Sequence, residues 1–414
     1  MVSVTKHNTP ALRFDGFDGE WGAAELQQIA DIVGGGTPST SVTSFWDGDI
    51  DWYSPNEVGE TAIAKPSNRR ITRAGLANSS ARLLPAHRTV LFTSRASIGH
   101  TAILDHPATT NQGFQSFVLK NGVDTHFVFA LTPKITEIAE QLATGSTFLE
   151  VSNKTVREIE VHVPATEEQR AIGELFADLD ALIEQHRAKH ANLQQTKTAL
   201  MQRMFPQDGA DEPELRLNGF SEAWEAKSLK DLGSSYGGLT GKTKEDFGHG
   251  DARYITYLDV FEHALINDAS QLGAIETDNR QNEVKTGDVL FTVSSEVPEE
   301  VGMSAVWLDQ GQNIYLNSFC FGFRPTTGLD SKFLAYVLRS PDFRKKMTLL
   351  AQGISRFNIS KTRAMELEIS FPALEEQRAI GKVFADLDAL IAAERHYITQ
   401  LTQAKTALLQ RMFV

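Results

Sequence analysis

Residues 164–205 read PATEEQRAIGELFADLDALIEQHRAKHANLQQTKTALMQRMF, and residues 372–413 read PALEEQRAIGKVFADLDALIAAERHYITQLTQAKTALLQRMF. They align without a gap at an offset of 208 residues, and about two-thirds of their positions are identical. A shorter match pairs a leading segment at residues 10–21, PALRFDGFDGEW, with a second at residues 213–224, PELRLNGFSEAW. Because internal self-similarity at a long spacing indicates repeated units, the sequence predicts a tandem duplication.

Both long stretches carry apolar residues at alternating spacings of three and four. The residues of this seam predicted to pair are Ile172, Phe176, Leu179, Ile183, Leu193 and Leu200 in the first stretch, and Ile380, Phe384, Leu387, Ile391, Leu401 and Leu408 in the second. The same spacing also includes His186, His190, Lys197 and Met204 in the first stretch, and Glu394, Ile398, Lys405 and Met412 in the second. This pattern predicts two helices of about 39 residues, roughly 58 Å long, that pair as an antiparallel coiled coil. Aligned midpoints would place Glu394 opposite His190. Two helices packed separately on their own domains are the alternative.

Two blocks of about 140 residues, which resemble each other only weakly, separate these matches. Short β-like runs are expected at Thr89–Thr93, Thr101–Leu104, Phe114–Leu119 and Ile159–Val163, and at Asp288–Val293, Ser304–Leu308, Phe319–Phe323 and Leu367–Phe371. Helices are expected at Thr125–Leu142 and Lys332–Leu350. The predicted class is therefore α+β, with two mixed α/β globules joined by the long helices in a pseudo-two-fold repeat.

This organisation predicts four segments. They are 1–163 (leading segment and first block), 164–206 (first long helix), 207–371 (leading segment and second block) and 372–414 (second long helix).

The composition restricts the class of protein. The chain has 414 residues, 40 Lys and Arg against 53 Asp and Glu, a formal net charge of −13 and a single cysteine, Cys320. One cysteine excludes a disulfide framework and a thiolate zinc cluster, and a reducing cytoplasmic location is expected. No apolar run approaches the ~18 residues of a membrane span, and the first ten residues lack the apolar core of a signal peptide. The acidic balance argues against non-specific nucleic-acid binding, which requires Lys and Arg at the contact face.

Three stretches resemble known catalytic or ligand-binding motifs, but each lacks a residue that the motif requires. The run YGGLTGKT at 236–243 has Tyr236 where a phosphate-binding loop requires glycine, and RASIG at 95–99 has Arg95 where a nucleophile elbow requires glycine. His186 and His190 have metal-ligand spacing but lack the H-E-x-x-H glutamate. We therefore predict neither a catalytic site nor a metal site.

Side chains suited to DNA cluster in both blocks. Arg and Lys bind guanine or phosphate, and Asn or Gln read adenine. The candidates are Thr37, Ser39, Lys65, Arg69, Arg70, Arg73, Ser94, Arg95, Asn111 and Gln112 in the first block, and Lys242, Lys244, Arg253, Ser294, Ser295, Asn317, Arg356 and Lys361 in the second. Arg339 and Arg344 belong to the same basic group. A solvated basic face is the alternative for any one of them.

On these features the chain resembles the specificity (S) subunits of Type I restriction–modification systems, over essentially its whole length. The resemblance rests on the doubled PxxEEQRAIxxxFADLDALI, the leading segments, GGTPST at 35–40, LFTSRASIG at 91–99, ARYITY at 252–257 and GDVLF at 287–291. It implies that each block is a target recognition domain and that the helices are the family's conserved spacer regions.

The resemblance also implies a function. A non-catalytic specificity subunit reads a bipartite, asymmetric site on double-stranded DNA, one half-site per domain, and directs adenine methylation or cleavage by partner subunits. The implied partners are DNA, two methyltransferase (modification) subunits and, through them, restriction/translocase subunits, with no membrane. S-adenosylmethionine, ATP and Mg are expected on those partners and no cofactor on this chain.

Three alternatives stay open. A specificity subunit of a fused restriction–methyltransferase (Type IIB-like) system shares this architecture, and the neighbouring genes would distinguish it. A non-DNA coiled-coil adaptor should bind no DNA even with partners present. An enzyme in its own right should turn over substrate alone.

Overall fold

The chain forms two compact units, and each contains one block together with parts of both long helices. The structure, a computed structural model, describes residues 8–145, 149–207, 209–326 and 328–414. Unit 1 holds the described residues up to Lys189 together with Glu394–Val414, and unit 2 holds His190–Ala393. The C-terminal segment of the chain therefore completes the unit that the N-terminal block begins.

Unit 1 alternates short strands and helices before the first long helix. The strands are β1 (Gly22–Glu25), β2 (Ala30–Gly34), β3 (Trp46–Tyr53), β4 (Arg70–Ile71), β5 (Thr89–Phe92), β6 (Thr101–Ile103), β7 (Thr109–Thr110), β8 (Gln115–Leu119) and β9 (Glu160–Val163). The helices are α1 (Leu26–Ile29), α2 (Arg73–Ala77), α3 (Thr125–Leu142), α4 (Asn153–Arg157) and α5 (Thr166–Arg203), with 3-10 turns at Thr43–Phe45 and Pro55–Glu57. The Asp124 side chain accepts from the Phe127 amide and caps α3, whose bounds are those predicted.

Two sheets organise the first block. An antiparallel sheet has the strand order β2-β8-β5-β6, and its central strand β5 is buried throughout. A smaller sheet has the order β4-β3-β7, with β3 antiparallel to β4 and parallel to β7. Separately, β1 pairs with β9 and ties the end of the leading segment to the strand that precedes α5.

Unit 2 repeats this succession with additions. Its strands are β10 (Glu225–Ser228), β11 (Gly233–Gly237), β12 (Phe247–Ile255), β13 (Leu265–Ile266), β14 (Gly273–Ile275), β15 (Val289–Thr292), β16 (Ser294–Ser295), β17 (Ser304–Trp307), β18 (Ile314–Leu316), β19 (Cys320–Pro325), β20 (Phe357–Asn358) and β21 (Glu368–Phe371). Its helices are α6 (Leu229–Leu232), α7 (Tyr257–Glu262), α8 (Ser331–Val337), α9 (Pro341–Thr348), α10 (Lys361–Met365) and α11 (Leu374–Met412), with 3-10 turns at Lys244–Asp246, Ala269–Gln271 and Pro298–Glu300.

The sheets of unit 2 follow the topology of unit 1. The order β11-β19-β15-β17-β13 corresponds to β2-β8-β5-β6 with one added edge strand, and β14-β12-β18 corresponds to β4-β3-β7. In both smaller sheets the middle strand pairs antiparallel on one side and parallel on the other. Two blocks with little sequence in common therefore share one α+β fold, which confirms the predicted class.

One predicted helix is wrong in its extent. The stretch expected as a single helix over Lys332–Leu350 is two helices, α8 and α9, because Pro341 cannot continue a helix from the preceding turn. Pro341 instead occupies the first turn of α9, and the Ser340 hydroxyl accepts from the Phe343 amide as its cap.

A buried ion pair joins each leading segment to the start of the following long helix. The Arg13 guanidinium donates to both carboxylate oxygens of Glu168 at 2.7 Å, and Arg216 donates to both oxygens of Glu376 at 2.8 Å. Both carboxylates are 1% exposed. The second glutamate of the repeated EEQ is therefore a structural partner of the leading segment, a role that sequence reasoning missed.

The next residues of the repeat hold the block against its helix. The Gln169 side chain accepts from the Asp124 amide at 3.1 Å, and Gln377 accepts from the Asp330 amide at 2.9 Å. A Cβ at Gly173 would lie 2.2 Å from Asp124 Oδ1 and 3.0 Å from the Phe127 amide nitrogen, so a larger residue here would displace the hydrogen bond that caps α3. The near-identity of the two helix starts thus reflects one docking geometry used twice.

The two long helices run antiparallel within each unit. In unit 1, Lys405 of α11 pairs with Asp180 of α5 at 2.5 Å, and the Phe413 ring packs 5.9 Å from that of Phe176. Glu394 of α11 pairs with His186 of α5. Lys405 comes after Glu394 in α11, whereas its partner Asp180 comes before His186 in α5. This order confirms antiparallel pairing in unit 1.

Unit 2 contains the reciprocal pairs. Lys197 of α5 binds Asp388 of α11 at 2.5 Å, and the Phe205 ring stacks 5.5 Å from Phe384. Each of these residues lies 208 positions from its counterpart in unit 1, with the roles of α5 and α11 exchanged.

The register near the helix midpoints differs from the prediction by one helical turn. Glu394, expected to face His190, instead accepts from His186 Nδ1 at 2.6 Å and pairs with Lys189 at 2.5 Å. The His186 ring also meets the Tyr397 ring at 4.4 Å. Hydrogen bonds from His186 and Lys189 hold the pKa of Glu394 below its ordinary value.

The seam residues pack on the blocks as well as on the opposite helix. Ile172 and Phe176 belong to the core of the first block, and Ile380 and Phe384 to that of the second. Leu193, Leu200, Leu401 and Leu408, farther along the helices, are half-buried. Pairing between helices and packing on each helix's own domain, which the sequence left as alternatives, therefore coexist.

Within the described part of the chain, no helix has the length and apolar character to cross a membrane.

Candidate functional site

The same tight turn follows β7 in unit 1 and β18 in unit 2, and we call it the asparagine turn. The side-chain oxygen of Asn111 accepts from the Gly113 amide at 2.7 Å, and that of Asn317 accepts from the Phe319 amide at 2.8 Å. Both asparagines are predicted DNA contacts. Their oxygens stabilise the turn, and each side chain keeps its amide nitrogen for other partners.

A glycine passes over each asparagine turn. A Cβ at Gly35 would lie 2.1 Å from the carbonyl oxygen of Asn111, and a Cβ at Gly238 would lie 2.1 Å from that of Asn317. Only glycine permits this approach. The glycine-rich runs that begin at these residues are thus held beside the turns, which explains why they recur in both blocks.

Polar side chains surround the turn of unit 1. The Thr37 hydroxyl donates to Gln112 Oε1 at 2.6 Å and orients the amide of an exposed pair. Ser39 lies farther along the same loop, where its hydroxyl is 2.9 Å from that of Ser41. The structure therefore brings Thr37, Asn111 and Gln112 together, although more than seventy residues separate the first from the others.

The strand end beside this turn carries Ser94 and Arg95. The Ser94 amide donates to the Gly113 carbonyl at 2.8 Å, but the Ser94 side chain is buried. Arg95 is half-buried, and a Cβ added at Gly113 would lie 3.6 Å from the Arg95 Nε. Of the two predicted contacts, Arg95 is therefore the one placed at the turn's surface.

A second basic group of unit 1 lies on and beside the smaller sheet. The Arg69 guanidinium stacks 3.7 Å from the centre of the Trp46 ring, a cation–π contact that holds the cation in place. Lys65 lies 3.9 Å from Glu60, with both side chains exposed, whereas Arg73 is exposed and makes no ion pair with the described residues.

Arg70 belongs to a cluster around the buried carboxylate of Asp51. Asp51 accepts from Arg70 Nε at 2.8 Å, from His106 Nε2 at 2.8 Å and from the Ser67 amide at 3.1 Å. Burial alone raises the pKa of Asp51, yet these hydrogen bonds leave it below its ordinary value. For His106, burial is the largest influence and lowers the pKa, but hydrogen bonds to Asp105 and Asp51 raise it above its ordinary value.

This cluster predicts a pH-dependent stability in unit 1. Because the pKa of His106 is raised by folding, its contribution is complete below about pH 6.5, the unfolded value, and is lost as pH rises through the folded pKa. We expect the unfolding temperature of unit 1 to decrease as the pH rises from about 6 to about 9. The His106→Gln substitution should abolish the part of this decrease that the His106 imidazole causes. Calorimetry of both proteins across this range tests the point, and superimposable pH profiles would contradict it.

The basic candidates of unit 2 near its first 3-10 turn differ in their partners, and among the described residues Lys242 alone of the three lies in ion pairs. Lys242 lies 3.2 Å from Asp278 and 3.7 Å from Asp246, and is only 12% exposed. Arg253 donates to the backbone oxygen of Ala252 at 3.0 Å. Lys244 is exposed and makes no ion pair with the described residues.

The other candidates of unit 2 lie around β16 and β20, which pair with each other. Ser294 and Ser295 form β16, and the Ser295 hydroxyl donates to Glu300 at 2.9 Å. Arg356 precedes β20 at an exposed hairpin tip, and Lys361 begins α10. Both cations are exposed and make no ion pair with the described residues.

Two arginines of the predicted basic group are structural. Arg339 donates to four backbone carbonyls, including that of Ser304 at 2.6 Å, and Arg344 donates to three, including that of Gly302 at 2.6 Å. Burial lowers the pKa of each to about 10. Their inclusion in a DNA-facing group is wrong, because two nitrogens of each guanidinium bind backbone carbonyls inside unit 2.

The described residues hold no group of three His, Cys, Asp or Glu side chains arranged for a metal ion. Cys320 is buried, and burial raises the pKa of its thiol to about 12. A thiol in that state is a weak nucleophile.

The sequence model of the family described as the Type I restriction modification DNA specificity domain matches the chain twice, at residues 18–195 and 221–403. The MjaIX Type I restriction enzyme specificity subunit of Methanocaldococcus jannaschii is 34% identical over 190 residues, 45% of this chain and 44% of that protein. The EcoR124I/EcoR124II specificity subunit of Escherichia coli is 28% identical over 172 residues, 39% of this chain and 41% of that protein. The chain thus spans less than half the length of these two relatives.

Two solved structures share the fold. The crystal structure of a Type-I restriction-modification system S subunit from M. genitalium matches with a TM-score of 0.62 at 16% identity, covering 98% of this chain and 99% of that one. A structure from work on complex assembly and conformational transition of the type I R-M system matches with a TM-score of 0.54 at 16% identity, covering 95% and 97%.

Proposed function

The chain belongs to the family of the Type I restriction modification DNA specificity domain, and we propose that it is the non-catalytic DNA-reading subunit of such a system. In this proposal each unit reads one half of a bipartite site on double-stranded DNA. Methylation of adenine, or cleavage, is carried out by partner subunits that the chain positions.

The observation that carries this proposal is the asparagine turn. The two units place the turn at the same point of one topology but surround it with different side chains: Thr37, Gln112 and Arg95 in unit 1, and Phe319 with Arg356 in unit 2. One scaffold with two different polar and apolar surfaces suits the reading of two different half-sites, because base edges differ in their donors, acceptors and methyl groups.

Local charge reconciles DNA binding with the net charge of −13. The exposed or half-exposed cations that make no ion pair with the described residues include Arg73, Arg95, Lys244, Arg356 and Lys361. We propose that these contact phosphate or guanine, and that Arg70 and Lys242 chiefly order the loops that carry them. DNA binding by the isolated chain, without its partner subunits, should then be weak and sensitive to salt.

The long helices have a separate proposed role. A paired helix is stiffer than a flexible linker, whose end-to-end distance fluctuates, and it can hold two readers at a constant spacing. We propose that segments 164–206 and 372–414 set the unread gap between the half-sites, while segments 1–163 and 207–371 read bases.

The partners and cofactors belong to the same proposal. Two methyltransferase subunits would dock on the chain and bring restriction/translocase subunits with them. Extrusion of the target adenine and its methylation from S-adenosylmethionine would take place on the methyltransferase subunits, and ATP and Mg would be used by the restriction/translocase subunits.

Methylome sequencing tests the proposal. The chain should co-purify with its cognate methyltransferase subunits, and cells carrying that complex should contain a bipartite methyladenine motif that disappears when the chain is deleted. Complex formation without any motif that depends on the chain would refute DNA reading and favour a coiled-coil adaptor.

A further inference from the structure

Unit 2 carries an aromatic cleft beside its asparagine turn. The cleft has a volume of about 380 Å³, and its apolar walls are Tyr257, Leu258, Phe261 and Phe319. Leu258 is 60% exposed and Phe319 is 58% exposed. Two large exposed apolar side chains that line one cleft are the unusual feature, because single exposed residues of this kind need no explanation.

The walls of the aromatic cleft are fixed by the fold. The Phe319 amide donates to Asn317, and the Tyr257 hydroxyl donates to the Ser294 carbonyl at 2.8 Å. The Tyr257 and Phe261 rings are nearly parallel, with 16° between their planes. The Tyr257–Phe261 wall and the backbone that carries Phe319 are therefore preformed, and a ligand would not have to order them.

The rim of the aromatic cleft is polar and carries both signs of charge. Glu296 and Glu300 line it with Arg356. Glu300 accepts from Ser295, whereas Glu296 is exposed and makes no hydrogen bond or ion pair with the described residues. Arg356 likewise has no such partner. The cleft thus offers an apolar wall, a carboxylate acceptor and a cation.

This combination matches one base-pair edge. In the major groove an A·T pair presents the adenine N6 amino donor and the thymine methyl group, together with acceptors, whereas a G·C pair has no methyl group. We propose that the aromatic cleft reads an A·T pair of the second half-site, an inference that rests on the proposed function. The thymine methyl packs on Phe319 and Leu258, Glu296 accepts from adenine N6, and Arg356 contacts a neighbouring phosphate.

Among the residues of unit 1 that the structure describes, none forms a counterpart of this wall directly after the asparagine turn. Gly113 occupies the position of Phe319, directly after the turn, and the exposed group there is the hydrogen-bonded Thr37–Gln112 pair. A requirement for a thymine methyl group at the aromatic cleft should consequently affect the second half-site alone.

The test uses the complex with its methyltransferase subunits and duplexes carrying the motif found by methylome sequencing. Replacing each thymine of the second half-site by uracil removes only a methyl group. At one position the wild-type complex should bind the uracil duplex about four-fold more weakly, as expected for one buried methyl. In Phe319→Ala and Leu258→Ala complexes that ratio should approach one. Leu349→Ala, which truncates a side chain 78% exposed that does not line the cleft, should keep the four-fold ratio.

Specific outcomes would overturn the inference while leaving the proposed function intact. One is a bipartite motif whose second half contains no A·T pair, and another is uracil tolerance at every position by the wild-type complex. A third is a Phe319→Ala chain that folds but no longer co-purifies with its methyltransferase subunits, which would make the cleft a protein-docking site. Absence of any motif would instead refute the proposed function itself.

Discussion

Replacement of Glu376 by alanine is expected to destabilise unit 2 by about 3 kcal/mol, or about 6–12 °C in its unfolding midpoint. The carboxylate is 1% exposed and binds both nitrogens of one face of Arg216, whose side chain is 15% exposed. The ion pair as such need not stabilise the fold. Loss of Glu376 is costly because the Arg216 charge then keeps the more distant and exposed Glu212 carboxylate, at 3.6 Å, in place of a buried two-bond partner.

A neighbouring residue supplies the control. Glu375 precedes Glu376 in the same helical turn and is exposed, so Glu375→Ala should change the free energy of unfolding by less than about 0.5 kcal/mol. The pair Glu168→Ala and Glu167→Ala repeats the comparison in unit 1. Scanning calorimetry of the four variants measures both differences, and equal effects of Glu375→Ala and Glu376→Ala would contradict the role of the buried pair.

Exchange of the second block for that of another family member is expected to replace the second half of the methylated motif completely and to leave the first half unchanged. The proposed division of labour assigns each half-site to one block. Junctions after Trp224 and before Pro372 would retain the leading segment, the Arg216–Glu376 pair and both long helices. Methylome sequencing of cells carrying the chimera reads both halves at once.

The reciprocal chimera is the matched control. Exchange of residues 22–163 should change only the first half of the motif, and the unread gap should keep its length in both chimeras because the helices are untouched. A chimera that alters both halves would refute independent reading by the two blocks.

The candidate site could be predicted as a set of residue types but not as a surface. Asn111 and Asn317 were expected as base readers, yet their oxygens stabilise turns. Arg339 was expected in a basic face, but it lies inside unit 2 and bonds backbone carbonyls. Composition reveals how many cations a segment has. Whether each faces solvent depends on strands far away in the sequence.

The helix register shows the same limit. A heptad pattern indicates which face of a helix is covered, but sliding one helix by a turn preserves that pattern. Contacts at the helix ends, such as Phe413 against Phe176, accompany the observed register and bring Glu394 to His186 instead of His190.

The sequence by itself determined the duplication, the two long helices, the α+β class and the family, because repeats and periodicity are properties of residue order. Only the tertiary structure decided that the C-terminal segment belongs to unit 1 and that Glu168 and Glu376 anchor the leading segments. It also decided that Phe319 and Leu258 share one exposed cleft. The physical reason is common to all three: burial and pairing depend on which distant segments meet, and that is a property of packing.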